Sequence, residues 1–97
     1  MYRIIEGRAQ GKTSRLMLLA KETGAKIACA NPHAMAQKAY AYGITGIDFI
    51  SYNDLFQNYI NNKEDKILID EIENLVQNYT RGNLIGYTLI NEDWLND

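Results

Sequence analysis

The sequence predicts an α/β fold, a three-layer sandwich built on a mainly parallel, five-stranded sheet. Short apolar runs alternate with segments of helical periodicity along all 97 residues, which is typical of a parallel sheet with helices on both faces. One run, Ile67-Leu68-Ile69, is continuously apolar, as in strands buried on both sides. At this length we expect a single minimal domain spanning residues 1–97.

Caps and turn residues divide the chain into nine elements. Gly24 stands where helices commonly end, and Asn31-Pro32 supplies an N-cap followed by proline at the first helical position. Ser51 caps a further helix, which Asn61 ends. The predicted order is strand 2–5, helix 12–22, strand 26–30, helix 31–42, strand 47–50, helix 51–61, strand 66–69, helix 72–79 and strand 84–90.

The segment between the first strand and the first helix has the layout of a phosphate-binding loop. Its sequence is Gly7-Arg8-Ala9-Gln10-Gly11-Lys12-Thr13. Loop amides and a helix N-terminus favour an anion, Lys12 reaches terminal phosphates, and the Thr13 hydroxyl is placed to hold Mg²⁺. The loop departs from the usual pattern because Glu6 stands at the first glycine position. The alternative is a simple turn whose Lys12 and Thr13 are solvated.

A second motif follows the apolar run 67–69, where Asp70 and Glu71 come directly after the strand. In open α/β sheets, ligands bind at this carboxyl end of the strands. We expect Asp70 to hold Mg²⁺ and Glu71 to polarise an attacking water. An acidic helix start, favoured by the helix dipole, is the alternative. The pairing of both motifs, with room for α/β units between them, indicates a nucleotide-binding P-loop fold.

The two motifs resemble those of the P-loop NTPases, in the branch with a glutamate directly after the Walker B aspartate. That branch includes helicases, AAA+ proteins and phage DNA-packaging motors. Residues 7–13 are similar to the Arg-containing Walker A loops of packaging terminases, and residues 67–71 look like Walker B. The chain is also similar to short P-loop proteins of phages. The resemblance implies a RecA-like core with Mg²⁺ and ATP as cofactors.

Site residues follow from the motifs and the resemblance. The catalytic candidates are Glu71 and Lys12, and the metal ligands are Thr13 and Asp70. The phosphate-binding set is Gly7, Arg8, Ala9, Gln10, Gly11, Lys12, Thr13 and Ser14.

The resemblance also implies a γ-phosphate sensor and an arginine finger. The sensor candidates are Thr88 and Asn91, for which an ordinary strand threonine and a turn asparagine are the alternatives. The finger candidate is Arg81, with Arg8 and Arg15 as further choices. Each arginine is otherwise a solvated surface residue.

Composition narrows the class of protein. The chain is 46% hydrophobic and 23% charged with a formal net charge of −2, which excludes disorder and gives no global electrostatic case for direct nucleic-acid binding. The single cysteine, Cys29, is expected to be a buried small hydrophobe in a reducing compartment. No apolar run is long enough to span a membrane, and no signal peptide is visible. We therefore expect a cytoplasmic protein, in the host cytoplasm if phage-encoded.

The sequence thus predicts Mg-dependent ATP binding with slow hydrolysis. Because the chain has no room for a second motor domain, we expect a protein partner or a homo-oligomer, as for a phage accessory protein in a larger nucleic-acid machine. The alternative is a non-hydrolysing P-loop module, a binding or inhibitor protein that acts through protein–protein contacts.

Overall fold

The computed structural model describes residues 2–5, 11–59 and 64–89. Its sheet contains β1 (Lys26–Cys29), β2 (Phe49–Ser51) and β3 (Ile67–Ile69) in the spatial order β2-β1-β3. Both pairings are parallel, with Ile27 opposite Phe49 on one side and Leu68 on the other. The parallel pairing agrees with the sequence prediction, and β1 lies at the centre of this sheet.

Helices connect the strands and cover both faces of the sheet. They are α1 (Lys12–Thr23), α2 (Pro32–Ala41), α3 (Tyr52–Asp54), which continues as a π-helix (Leu55–Tyr59), and α4 (Ile72–Tyr79). The predicted caps are confirmed: the Asn31 side chain accepts a hydrogen bond from the Ala34 N–H at 3.1 Å, and Ser51 accepts from the Asp54 N–H at 3.0 Å. Gly24 ends α1 with a φ of 77°, which favours glycine.

Side chains alternate across β1 and form two apolar clusters. Ile27 and Cys29 pack with the buried faces of α1 and α2. Ala28 points to the opposite face, where it packs with Tyr52, Leu55 and Leu75. The predicted burial of Cys29 is confirmed, and this burial raises the pKa of its thiol to about 11, so the thiol is protonated at neutral pH.

The prediction of a five-stranded, RecA-like sheet is wrong. Within the described ranges the sheet has three strands, and neither residues 2–5 nor residues 84–89 form a strand. Ile4 packs against the core cluster without joining the sheet. β propensity reports only how well a side chain fits a pleated, half-buried surface, and neither segment pairs with a neighbouring strand.

The last segment, 84–89, is bonded to α4 instead. The Leu84 N–H donates to the Gln77 side chain at 3.1 Å, and the Tyr87 hydroxyl donates to the Glu73 carboxylate. Ile85, in this segment, is 93% exposed. These contacts hold the segment along the helix rather than in the sheet.

In α4 the apolar residues Ile72, Leu75, Val76 and Tyr79 recur at helical spacing and form one face, which is only partly buried. Leu75 is buried, whereas Ile72, Val76 and Tyr79 are exposed. Among the helices of the described ranges, none combines the length and apolar composition needed to cross a membrane.

Candidate functional site

The N-terminus of α1 forms one side of the candidate site. Gly11 precedes the helix with a φ of 78°, a left-handed conformation that glycine adopts without strain. The Ser14 hydroxyl donates to the Gly11 carbonyl at 2.9 Å, which fixes the first turn. Because the first-turn amides of a helix have no intrahelical partner, those of Lys12, Thr13 and Ser14 suit an anionic ligand.

Asp70 is positioned by an extension of the sheet. Its N–H donates to the Ala28 carbonyl at 2.9 Å, one step beyond the last residue of β3. The side chain is partly buried. Desolvation is the main cause that raises its pKa, the Glu71 charge raises it further, and the charges of Lys12 and Lys38 act in the opposite direction. Two cations and two carboxyl groups therefore lie near one another at this edge of the sheet.

Glu71 adopts a strained backbone conformation. Its φ of 55° and ψ of 70° lie in the left-handed region, and among the described non-glycine residues it is the one with a positive φ. The buried Tyr52 hydroxyl donates to the Asp70 carbonyl at 2.7 Å and approaches the Glu71 carbonyl at 3.4 Å. Strain of this kind persists where surrounding contacts determine the backbone, and it clusters at functional sites.

Lys12 and Glu71 bring the two sequence motifs together. The Lys12 Nζ lies 4.0 Å from the Glu71 Oε1, and their side chains are 30% and 51% exposed, respectively. Exposed ion pairs of this kind contribute only about 0–1 kcal/mol to stability. A ligand can therefore exchange one partner for another at low cost.

An open cleft of about 420 Å³ contains this ion pair. Its volume lies in the range of small-molecule binding sites, roughly 300–1,000 Å³. The residues that line it are Gly11, Lys12, Thr13, Ser14, Lys38, Tyr42 and Glu71. Asp70 is not among them, although the charges of two lining residues, Lys12 and Lys38, both act on its carboxyl group.

Sequence reasoning missed Lys38 and Tyr42. Both lie at the C-terminal end of α2, one turn apart, and thus on one face of the helix. The signal available in the sequence was a cation and an aromatic ring at i and i+4 on a helix that begins at the functional edge of the sheet. That signal is weak, because such pairs also occur on ordinary solvated faces.

The remaining predicted residues are not brought to the cleft. Thr88 and Arg81 are exposed, in the segment after α4, and Arg15 is exposed on α1; none of the three lines the cleft. Residues 6–10, which hold Glu6, Gly7, Arg8, Ala9 and Gln10, lie outside the described residues, as does Asn91.

Across the part of the chain that the structure describes, no group of three or more His, Cys, Asp or Glu side chains could hold a metal ion. His33 lies near Gln37 on α2, with 3.3 Å between their Nε2 atoms, and both are exposed. A metal held by Asp70 and Thr13 would thus take its other ligands from water and from a bound ligand.

No protein-family model, curated protein or solved structure gives a significant match to the chain. The assignment of function therefore rests on the residues of the cleft and their geometry.

The strain at Glu71 can be measured by comparing Glu71→Gly with Glu71→Ala. Both variants lose the Lys12 ion pair, but glycine also relieves a left-handed strain of about 1–2 kcal/mol, less about 0.5–1 kcal/mol for its greater unfolded-state entropy. We expect Glu71→Gly to be more stable than Glu71→Ala by roughly 0.5–1 kcal/mol in urea unfolding. If Glu71 were not strained, Glu71→Gly would instead be the less stable variant by about 0.5–1 kcal/mol, because only the entropy cost of glycine would remain.

The raised pKa of Asp70 predicts that the ionised carboxyl group lowers the free energy of unfolding, and that this effect depends on pH. Below the usual value of 3.8, the carboxyl is protonated in both the folded and unfolded states and costs nothing. As the pH rises through the folded-state pKa, ionisation destabilises the folded state. We therefore expect Asp70→Asn to gain stability relative to the wild type between pH 3 and pH 7, measured by urea unfolding at both pH values. A stability difference that stays constant or moves the other way would contradict the raised pKa.

Proposed function

We propose that this chain binds Mg-ATP in the cleft between α1 and α2 and hydrolyses it slowly. The observation that carries the proposal is the 4.0 Å approach of Lys12 to Glu71, on a cleft of ligand size. These residues belong to the two motifs that resemble Walker A and Walker B. The choice of ATP rests on that resemblance.

The first turn of α1 is the proposed phosphate site. The amides of Lys12, Thr13 and Ser14 face an anion favourably, because partial positive charge accumulates at a helix N-terminus. A phosphate then replaces the Glu71 carboxylate as the partner of Lys12. Since that ion pair is exposed and weak, the exchange costs little, and it releases Glu71 for a second role.

Magnesium is the proposed metal, held by the Thr13 hydroxyl and the Asp70 carboxylate. Mg²⁺ in nucleotide sites uses one or two carboxylates and completes its shell with phosphate oxygens and water, which fits the small set of donors in the described residues. A cation beside Asp70 also offsets the desolvation and the Glu71 repulsion that raise the pKa of this group.

Glu71 is the proposed residue that orients the attacking water. Its side chain is half exposed at the cleft, within reach of water and next to the proposed phosphate. Lys12 offsets the negative charge that the phosphoryl group spreads over its oxygens in the transition state. We expect slow turnover because Arg81, the proposed arginine finger, does not line the cleft. In a larger, cytoplasmic assembly, a second copy of the chain or a partner protein would supply an arginine finger to this cleft.

A second candidate function is a non-hydrolysing module that acts through protein contacts. The observation that favours it is the apolar surface left exposed on α4 and beside it. Ile72 is 50% exposed, Ile85 93% and Leu89 57%, and a large exposed apolar area is typical of interaction surfaces.

Titration calorimetry with Mg-ATP tests the binding site. We expect the wild type to bind and Lys12→Ala to bind at least tenfold more weakly, because a charge-assisted contact with phosphate is lost. Lys21→Ala, at the other end of α1, is the matched control and should bind like the wild type. Unchanged binding by Lys12→Ala would refute the site.

Glu71→Gln separates the two candidate functions. Glutamine keeps the shape of the side chain but cannot take up a proton, so we expect phosphate release to fall by roughly 10²–10⁴-fold while Mg-ATP binding is retained. Binding is expected to be as tight or tighter, because Lys12 no longer has a competing anion. If phosphate release is unaffected, Glu71 has no catalytic role; if the wild type binds without turnover, the non-hydrolysing module is supported.

A further inference from the structure

The wall of the cleft opposite α1 carries two residues with no role in the motifs. Lys38 and Tyr42 both line the cleft together with Gly11, Lys12 and Glu71. They are four positions apart and therefore neighbours on one helix face. The core-packed face of α2 is made by Met35 and Ala39, so the helix holds Lys38 and Tyr42 in place without using them in the core.

Lys38 adds a second cation to the cleft. Its charge and that of Lys12 both act to lower the pKa of Asp70, so two cations from two different helices influence the same carboxyl group. Lys12 alone would place one positive charge near the two carboxylates of Asp70 and Glu71. With Lys38, the charges balance before any ligand enters, and a ligand with several negative charges meets a cation on each wall.

Tyr42 offers a ring surface beside these cations. Its side chain is 53% exposed although it faces a cleft of about 420 Å³. A tyrosine ring presents a flat apolar face, on which the planar base of a nucleotide can stack without any preference for one base. Tyr42 follows Lys38 by four residues, about one helical turn, so one nucleotide can place its base on the ring and a phosphate at the ammonium group.

We propose that Lys38 binds the phosphates and that Tyr42 stacks on the base, so that the cleft takes nucleoside polyphosphates in preference to inorganic polyphosphate. This inference rests on the proposed function, because it deepens the same site. It assigns α2 as the wall that recognises the nucleoside, and it predicts little discrimination among bases.

The experiment compares Mg-ATP with Mg-tripolyphosphate by titration calorimetry, using the full chain. Lys38→Ala is expected to weaken both ligands about tenfold, because a charged contact with phosphate is lost. Tyr42→Ala is expected to weaken Mg-ATP roughly tenfold and to leave Mg-tripolyphosphate unchanged, since stacking involves only the base. Tyr42→Phe, which keeps the ring, should bind Mg-ATP like the wild type.

A matched control shows whether a loss of binding comes from the missing Tyr42 side chain or from a general disturbance of α2. Tyr40→Ala removes a neighbouring ring that is 83% exposed and does not line the cleft, and it should bind both ligands like the wild type. Circular dichroism of each variant checks that the overall helix content of the protein is unchanged.

Different results would contradict the proposed function and the inference about Lys38 and Tyr42. If the wild type binds neither ligand, or if Lys12→Ala binds both like the wild type, the proposed function fails and this inference fails with it. If Lys12→Ala weakens binding but Tyr42→Ala weakens both ligands equally or neither, the phosphate site stands and stacking is wrong. Unchanged binding of both ligands by Lys38→Ala removes the second cation from the site.

Discussion

The parallel pairing of β1 with β3 is the contact on which the candidate site depends. It sets Ala28 beside Ile69, and the next hydrogen bond, from the Asp70 N–H to the Ala28 carbonyl, carries the register one residue past the strand. Because the register is fixed there, Asp70 and Glu71 leave the sheet at the edge where α1 begins. A slip of one residue would turn each side chain of β3 to the other face of the sheet and change where Asp70 and Glu71 emerge.

This placement destabilises the folded state locally, and the unfavourable contributions come from Asp70 and Glu71, the residues with proposed roles. Asp70 is partly desolvated beside another carboxylate, and Glu71 holds a left-handed backbone. The Tyr52 hydroxyl donates to the Asp70 carbonyl and approaches that of Glu71, and burial is the main cause that raises the pKa of this hydroxyl, a direction that favours the donating, protonated form. The proposed Mg²⁺ would offset the repulsion between the Asp70 and Glu71 carboxylates, and its binding would therefore stabilise the folded state.

Local signals predicted more of this structure than did signals that depend on distant partners. The capping residues Asn31 and Ser51 act within their own turns, so their roles could be derived from adjacent sequence. A strand, in contrast, needs a neighbouring strand with which to pair. Residues 84–89 make their hydrogen bonds with side chains of α4 and do not pair with the sheet. For the same reason Lys12, Asp70 and Glu71 could be proposed as site residues from motifs in the sequence. The cleft position of Lys38 and Tyr42 depends on how the fold places α2, so no local motif indicates it.

The charges in and around the cleft explain why the proposed binding of a triphosphate requires both a metal ion and a second lysine. Lys12 and Lys38 together balance Asp70 and Glu71, so the site as a whole has no net attraction for a free triphosphate, and its carboxylates repel one. In the proposed function, Mg²⁺ held by Asp70 would change this balance, because a divalent cation offsets the negative charge of the carboxylate and of the phosphates. Asp70 would then attract the ligand through the metal, and Lys12 and Lys38 would remain available to the phosphate oxygens.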